Sequence, residues 1–301
     1  MNAHTVPFNK HDPTPSISVI MPFRNARATL RPTLRSIQLQ TCPDWELLLI
    51  DDGSSDGTAE VVTDLLADRR IRLLRHSESR GLACRLNQAV ALSRGEFIAR
   101  MDADDIAFPD RLERQREHLR ANPEMSLVGS SMVVFDSDGS LKFCLVPPRS
   151  HGELLYRAWT QVPLPHPTWM GRSSWFSINP YPEQARRGQD QCLLFMARHT
   201  SCYSCLSEPL VGYRGGAAPL GKSVEGRWHF VRTVWKHGTM TEFAGALGYH
   251  AATLVVRAVF GGVLVRHART HYVGVSPALR ARWRDIWNSA HADTTMVDAT
   301  D

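Results

Sequence analysis

Three acidic clusters carry the side chains best suited to chemistry: Asp51-Asp52, Asp102-Ala103-Asp104 and, much later, Asp190. Asp102 and Asp104 stand two apart behind the apolar run Phe97-Ile98-Ala99-Arg100-Met101. In extended chain, residues two apart project to the same side. Two carboxylates facing one way repel unless a cation lies between them. Hard divalent ions such as Mg2+ or Mn2+ take oxygen ligands and bridge to phosphates. An ion held there would neutralise charge building on a departing diphosphate. Taken alone, the pair more commonly means a solvated acidic turn or a helix cap ahead of Pro109. Asp190, just before the apolar run Cys192-Leu193-Leu194-Phe195-Met196, is by itself an ordinary helix N-cap candidate.

The elements that must position these clusters alternate between two hydrophobic periods. Ile17-Met21 reads as a strand ending at Pro22, and residues 27–40 carry Leu30, Leu34 and Ile37 at helical spacing. Trp45-Ile50 is a continuous apolar strand running into Asp51-Asp52-Gly53-Ser54. Residues 57–67 read as a helix, Ile71-Leu74 as a strand, 81–93 as a helix, and Phe97-Met101 as a strand entering Asp102. Pro109 opens a further helix to about Arg120, a favoured place for proline, and Val128-Phe135 resumes strand character. Repeated β-α-β units with near-continuous apolar strands imply a parallel sheet covered on both faces. In such sheets ligands bind beyond the carboxyl ends of the strands. Residues 140–215 mix short strands with Pro-rich loops, and 223–290 read as mainly helical.

Composition narrows the class. The chain has 301 residues with 43% hydrophobic and 22% charged content, ordinary for a globular protein. Its start (MNAHTVPFNKHDPTP) is polar and Pro-rich, without the basic start and apolar run of a signal peptide. Cys202 and Cys205 stand at CxxC spacing, but no second ligand pair accompanies them, so a structural role in or beside a strand is expected. These features point to a reducing cytoplasm. Between Lys222 and Arg284 the Lys and Arg residues far outnumber Glu225 and Glu242. A basic segment can meet nucleic acid, anionic lipid or an anionic substrate. No nucleic-acid-binding signature accompanies this one, so no nucleic acid partner is expected. Ala251-Val265 is too short for a spanning helix and fits either a packed helix or a membrane-surface helix.

The order of motifs is more specific than any one of them. SVIMPFRN, then LLLIDDGSSDGT, then SRGLACRLNQAVALSRGEFIARMDADD follow at regular intervals. Over roughly residues 16–215 this resembles glycosyltransferase family 2, inverting enzymes of the GT-A fold. The resemblance implies an α/β fold of GT-A type: a doubly wound mixed sheet flanked by helices, here with a helical C-terminal extension. It implies that Pro22-Phe23-Arg24-Asn25 open the nucleotide site and that Asp51 and Asp52 contact base and ribose. Gly81 and Asn87 would mark a helix beside the nucleotide, and Asp102-Ala103-Asp104 the metal motif, with Asp104 and Asp102 as ligands. His166, in His166-Pro167-Thr168, matches a segment lining the acceptor side. Gly188-Gln189-Asp190 stands where the family usually carries Glu-Asp, so Asp190 is implied as catalytic base and Gln189 replaces the usual Glu. Leu210-Val211-Gly212-Tyr213-Arg214 matches the closing strand. Val224-Glu225-Gly226-Arg227-Trp228 supplies the Arg and Trp, but not the Gln, of a processive-synthase motif. Non-processive transfer is therefore expected, with Arg227-Trp228 serving mainly in helix packing.

The expectation is a metal-dependent (Mn2+ or Mg2+) inverting glycosyltransferase. It would move a sugar from a nucleotide-sugar donor, UDP-linked by preference, to a hydroxyl of a glycan or lipid-linked acceptor in bacterial cell-surface polysaccharide synthesis. The expected layout is a tail over 1–15, a GT-A domain over 16–215, a helical extension over 216–290 and a frayed tail over 291–301. A cytoplasmic enzyme, peripheral on the inner membrane face through residues 239–290, fits that charge pattern. Two alternatives are a non-catalytic nucleotide-sugar-binding module and a sugar nucleotidyltransferase. The second normally needs a Gly-rich phosphate loop, which PFRN is not. A dinucleotide oxidoreductase is poorer still, because no G-x-G-x-x-G follows the first strand.

Overall fold

The computed structural model describes residues 13–215, 220–260 and 271–292; the remainder of both expected tails, 1–12 and 293–301, and part of the Ala251-Val265 stretch lie outside the described residues. Strand β1 (Ile17–Phe23) leads through helix α1 (Leu30–Gln38) to β2 (Trp45–Asp52). A 3-10 helix (Glu60–Ala67) then precedes β3 (Ile71–His76), α2 (Leu82–Leu92) and β4 (Phe97–Arg100). The 3-10 segment replaces the α-helix expected over 57–67. Its run Val61-Val62-Thr63 is β-branched, and the Thr63 hydroxyl donates back to the Glu60 carbonyl at 3.0 Å, competition that weakens an α-helical ladder.

β3, β2, β1 and β4 form a parallel block. Their apolar runs are buried on both faces because alternate residues serve different layers. Val19, Met21, Leu47 and Leu49 pack under α1 and α3 (Arg111–Ala121), whereas Ile20, Leu48 and Ile50 face α2 on the opposite side. Register then fixes the edge that matters. Phe23 pairs with Asp51, Asp52 with His76, and Ile20 with Arg100. The carboxyl ends of four strands therefore finish together, and the loops carrying Asn25, Asp51-Asp52, Gly81 and Asp102-Asp104 leave from one edge.

The second half completes a mixed sheet of ten strands among the described residues. β5 (Ile106–Ala107), β6 (Leu127–Phe135), β7 (Leu141–Val146), α4 (His151–Leu155), β8 (Met170–Arg172), α5 (Ser173–Ile178), α6 (Gln189–Ala197) and β9 (Tyr203–Arg214) follow in order. β8 runs antiparallel between β4 and β6, while β9 runs parallel to β6 and also pairs with β5. Two long helices, α7 (Leu220–His237) and α8 (Met240–Phe260), form a hairpin on α6. Beyond it, β10 (His271–Val273) adds to β7, a short strand within a region read as helical. α9 (Pro277–His291) buries Trp283, Ile286 and Ala290 against Val133, Phe135 and Cys144. Ser276 caps it by accepting from the Leu279 N–H at 3.2 Å.

Candidate active site

The first loop is stapled to the second. Asn25 sits in the left-handed region (φ 54°), a conformation Asn tolerates better than most side chains. Its N–H donates to Ser54 Oγ at 3.0 Å and its Oδ1 accepts from the Ser55 N–H at 2.9 Å. Pro22 and Phe23 are buried at the end of β1, while Arg24 is exposed. Thr29 Oγ1 donates to the Ala103 carbonyl at 3.0 Å, tying the same loop to the acidic turn.

Asp51 and Asp52, adjacent in sequence, face different neighbours. Asp51 is buried and accepts from the Ser54 N–H at 2.8 Å, with Arg75 Nε 3.7 Å from its other oxygen. Asp52 accepts from Ser79 Oγ (2.6 Å), the Arg80 and Gly81 N–H groups (2.8 and 2.9 Å) and Arg85 Nε (2.6 Å). Burial alone would raise its pKa, but these hydrogen bonds win and hold it below the ordinary carboxylate value. In this structure Asp52 anchors the loop before α2. Gly81, at φ 87°, allows that loop to present its N–H. Asn87 is likewise engaged within the protein: Nδ2 donates to the Tyr181 carbonyl at 2.9 Å, and Oδ1 accepts from the Tyr181 N–H at 2.8 Å.

The acidic turn has three carboxylates. Oxygens of Asp102, Asp104 and Asp105 lie within 4.8 Å of one another, the candidate metal-holding group found among the described residues. Asp102 is half-buried and accepts from Nη2 of the fully buried Arg100. Asp104 faces solvent, and desolvation in the cleft followed by repulsion from Asp102 raises its pKa. Asp105 is fully buried. Its Oδ1 accepts from the Arg214 N–H at 2.9 Å, and its Oδ2 has no hydrogen-bond partner among the described residues. Burial first, then Asp102 and Asp104, push its pKa well above the ordinary value. A buried carboxylate oxygen without a partner costs free energy, and oxygen donors of this kind suit a hard divalent ion. The residues therefore fit such a cation. Asp105 adjoins the Asp102-Ala103-Asp104 motif, and its burial beside β9, which adjacent residues do not reveal, is what singles it out.

Across the cleft, Asp190 is the second residue of α6, following Gly188 at φ 69°. Burial raises its pKa, while Gln191, whose Nε2 lies 3.4 Å from Oδ2, pulls it partly back. His166 meets the Tyr181 hydroxyl through Nε2 at 3.0 Å and abuts the Trp169 ring edge-on. Burial, and then the positive charge of Arg100, hold His166 well below its ordinary pKa, so the ring is neutral at neutral pH. Asp102, His166, Asp190, Gln191 and Tyr213 share the walls of one cavity of about 340 Å3. Gln191 lines this cavity, whereas Gln189 is buried at the start of α6 and is not among its wall residues. A larger hollow of about 570 Å3 lies around Arg75, Arg80, Arg85 and Asn87, beyond the loop that Asp52 holds. The structure thus gathers Asp102, His166 and Asp190 at one cavity and sets Asn87 on the wall of the other.

A curled mixed sheet with an acidic turn at a parallel-strand end and a second carboxylate across a cleft defines a GT-A type protein. The family model for Glycosyl transferase family 2 matches residues 18–177, and the chain belongs to that family. The EpsE protein of Bacillus subtilis (strain 168) is 35% identical over 158 residues, which is 48% of this chain and 57% of that one. The UDP-Glc:alpha-D-GlcNAc-diphosphoundecaprenol beta-1,3-glucosyltransferase WfgD of Escherichia coli is 34% identical over 139 residues, 46% of this chain and 54% of that one. The chain thus matches little more than half the length of these relatives. The fold is similar to that of S. aureus TarS 1-349 in complex with UDP-GlcNAc, with a TM-score of 0.60 at 17% identity, covering 91% of this chain and 81% of that one.

Proposed function

We propose that the chain transfers a sugar from a nucleotide-sugar to an acceptor hydroxyl with inversion, and that Asp190 is the base. The observation that carries the reading is the single cavity with Asp102 on one wall and a half-buried Asp190, its pKa raised by desolvation, on another. In the reaction the acceptor oxygen bonds to the anomeric carbon as its proton passes to the Asp190 carboxylate. The bond from that carbon to the diphosphate oxygen breaks, and its electron pair leaves with the nucleotide. A divalent cation, Mn2+ or Mg2+, held by Asp102, Asp104 and Asp105 would neutralise charge on that diphosphate. Asn25, Asp51 and Arg24 sit at the strand edge suited to the nucleoside, with Pro22, Phe23, Asp52 and Gly81 supporting their loops. Neutral His166 and Gln191 border the acceptor side, and Gln189 packs beneath it.

A UDP-linked donor and a lipid-linked or glycan acceptor fit the names of the relatives, since WfgD uses UDP-Glc and a diphosphoundecaprenol-linked sugar. The proposed reaction is a step of cell-surface polysaccharide assembly at the cytoplasmic face of the membrane, with peripheral contact through the C-terminal helices. No helix among the described residues is long and apolar enough to cross a membrane. A panel of nucleotide-sugars assayed with Mn2+ for thermal stabilisation and for transfer tests the reading, because a bound donor raises stability by mass action. Absence of stabilisation by every donor would overturn it.

A further inference from the structure

The α7–α8 hairpin exposes apolar surface that its own packing leaves uncovered. On α7, Val224, Trp228 and Trp235 recur at spacings of four and seven, which places them on one helical stripe. Trp228 is 59% and Trp235 55% exposed. The packing role expected for Arg227-Trp228 therefore holds for one member only. Arg227 Nη1 turns inward to His250 Nδ1 (3.0 Å) and Thr253 Oγ1 (2.6 Å), while Trp228 faces out. On α8, Met240, Leu247 and Val255 lie within about 80° of each other around the helix axis, and Met240 is 69% exposed.

The two stripes form one surface. In an antiparallel pair, the flank reached by advancing around one helix lies on the same side as the corresponding flank of the other. An edge-on contact between Trp235 and Phe243, 4.7 Å between centroids, joins them across the seam. The rim is basic, with Arg232 and Lys236 both exposed on α7. Over residues 220–260 five Lys and Arg face two Glu, and one of those, Glu242, is already paired with Arg198 at 3.4 Å. Exposed tryptophan over an apolar stripe bordered by cations is the chemistry that enters the headgroup layer of an anionic bilayer.

We propose that this face of the α7–α8 hairpin seats the protein on an anionic lipid surface. The seat differs from the span 239–290 expected from sequence. It begins on α7 and leaves out α9, whose Trp283 is buried against the sheet. It also lies one helix from the candidate base, because α7 packs on α6 through Phe195 and Phe230 (5.7 Å between centroids). The inference rests on the transferase reading only for the acceptor's orientation. Vesicle binding is read without any transfer, so either can fail alone.

The test is co-sedimentation of the full chain with phosphatidylglycerol-containing vesicles and with phosphatidylcholine vesicles, together with sedimentation velocity in the absence of lipid. Binding to the anionic vesicles should be at least tenfold tighter. Trp228→Ala/Trp235→Ala and Arg232→Glu/Lys236→Glu should each weaken it tenfold or more, the charge-reversal pair with an unchanged thermal midpoint, since Arg232 and Lys236 are exposed. Charge reversal at the exposed Arg284 on α9 should leave it unchanged. Equal binding by wild type and the Trp pair variant, or no binding to anionic vesicles, overturns the proposal. So does a concentration-dependent dimer abolished by the Trp substitutions, which would assign the face to a second copy of the chain.

Discussion

Asn87 and Tyr181 exchange two hydrogen bonds across 94 residues of chain, the side-chain amide of one matching both backbone groups of the other. The Tyr181 ring stacks toward Trp169 and Phe176, and its hydroxyl reaches His166. Asn87 thus latches α2 to the segment that supports one wall of the cleft. Asn87→Ala leaves a buried N–H and carbonyl of Tyr181 without these partners, which costs roughly 1–3 kcal/mol. The expected outcome is a lowered urea midpoint, with donor affinity reduced much less than stability. Donor affinity lost without any change in stability would return Asn87 to direct nucleotide contact.

Asp52 and Arg85 give a second, pH-dependent case. Both are buried, and removing one leaves the other charge uncompensated, at a cost of roughly 3–5 kcal/mol. The folded-state pKa of Asp52 is depressed, so its contribution is present above the unfolded value of about 3.9 and is lost as pH falls through the folded value. Urea titrations of wild type and Asp52→Asn should differ most at neutral pH and converge in acid. A constant difference down to the lowest pH would exclude this linkage.

The strand-end motifs were legible because each is a local run: a continuous apolar strand followed by its loop reads directly from adjacent residues. The partners of those residues were not. Asp52 reads as a ligand contact from its position in the motif, and nothing in the local run shows that Ser79, Arg80, Gly81 and Arg85 donate to it. Gln189 stood out because it replaces a family residue, yet α6 turns about 100° per residue, so positions 189 and 191 point to different sides of the helix. With Asp190 at the cavity, it is Gln191 that shares the wall. Periodicity also could not separate a buried from an exposed tryptophan on α7, because exposure depends on where α8 packs. The strand β10 is three residues long and exists through pairing with β7, a partner far away in sequence.

The acidic turn predicts a selective metal effect. Asp104 is the exposed member of the three carboxylates, so Asp104→Asn removes a ligand without leaving a cavity. Mn2+ affinity, read by electron paramagnetic resonance titration, should fall at least tenfold, about 1.4 kcal/mol, and thermal stability without metal should change little. Chelation should weaken nucleotide binding by the wild type, and added Mn2+ should restore it. Unaltered Mn2+ affinity in the variant would remove Asp104 from the ligand set.

Asp190 predicts opposite effects on rate and stability. As base it must be ionised, so transfer should rise with pH through its raised pKa and flatten above it. For stability the sign reverses. A carboxyl whose folded pKa exceeds its unfolded value contributes stability below the unfolded pKa and loses it as pH rises through the folded one. Asp190→Asn should therefore lower transfer by roughly 10^2–10^4-fold and erase the acidic limb of the profile. Donor affinity should be unchanged, and the thermal midpoint at neutral pH should match or exceed wild type. Substitution of a merely structural cap would lower that midpoint and leave the limb in place. Transfer near the wild-type rate with the limb retained would assign the proton to another group.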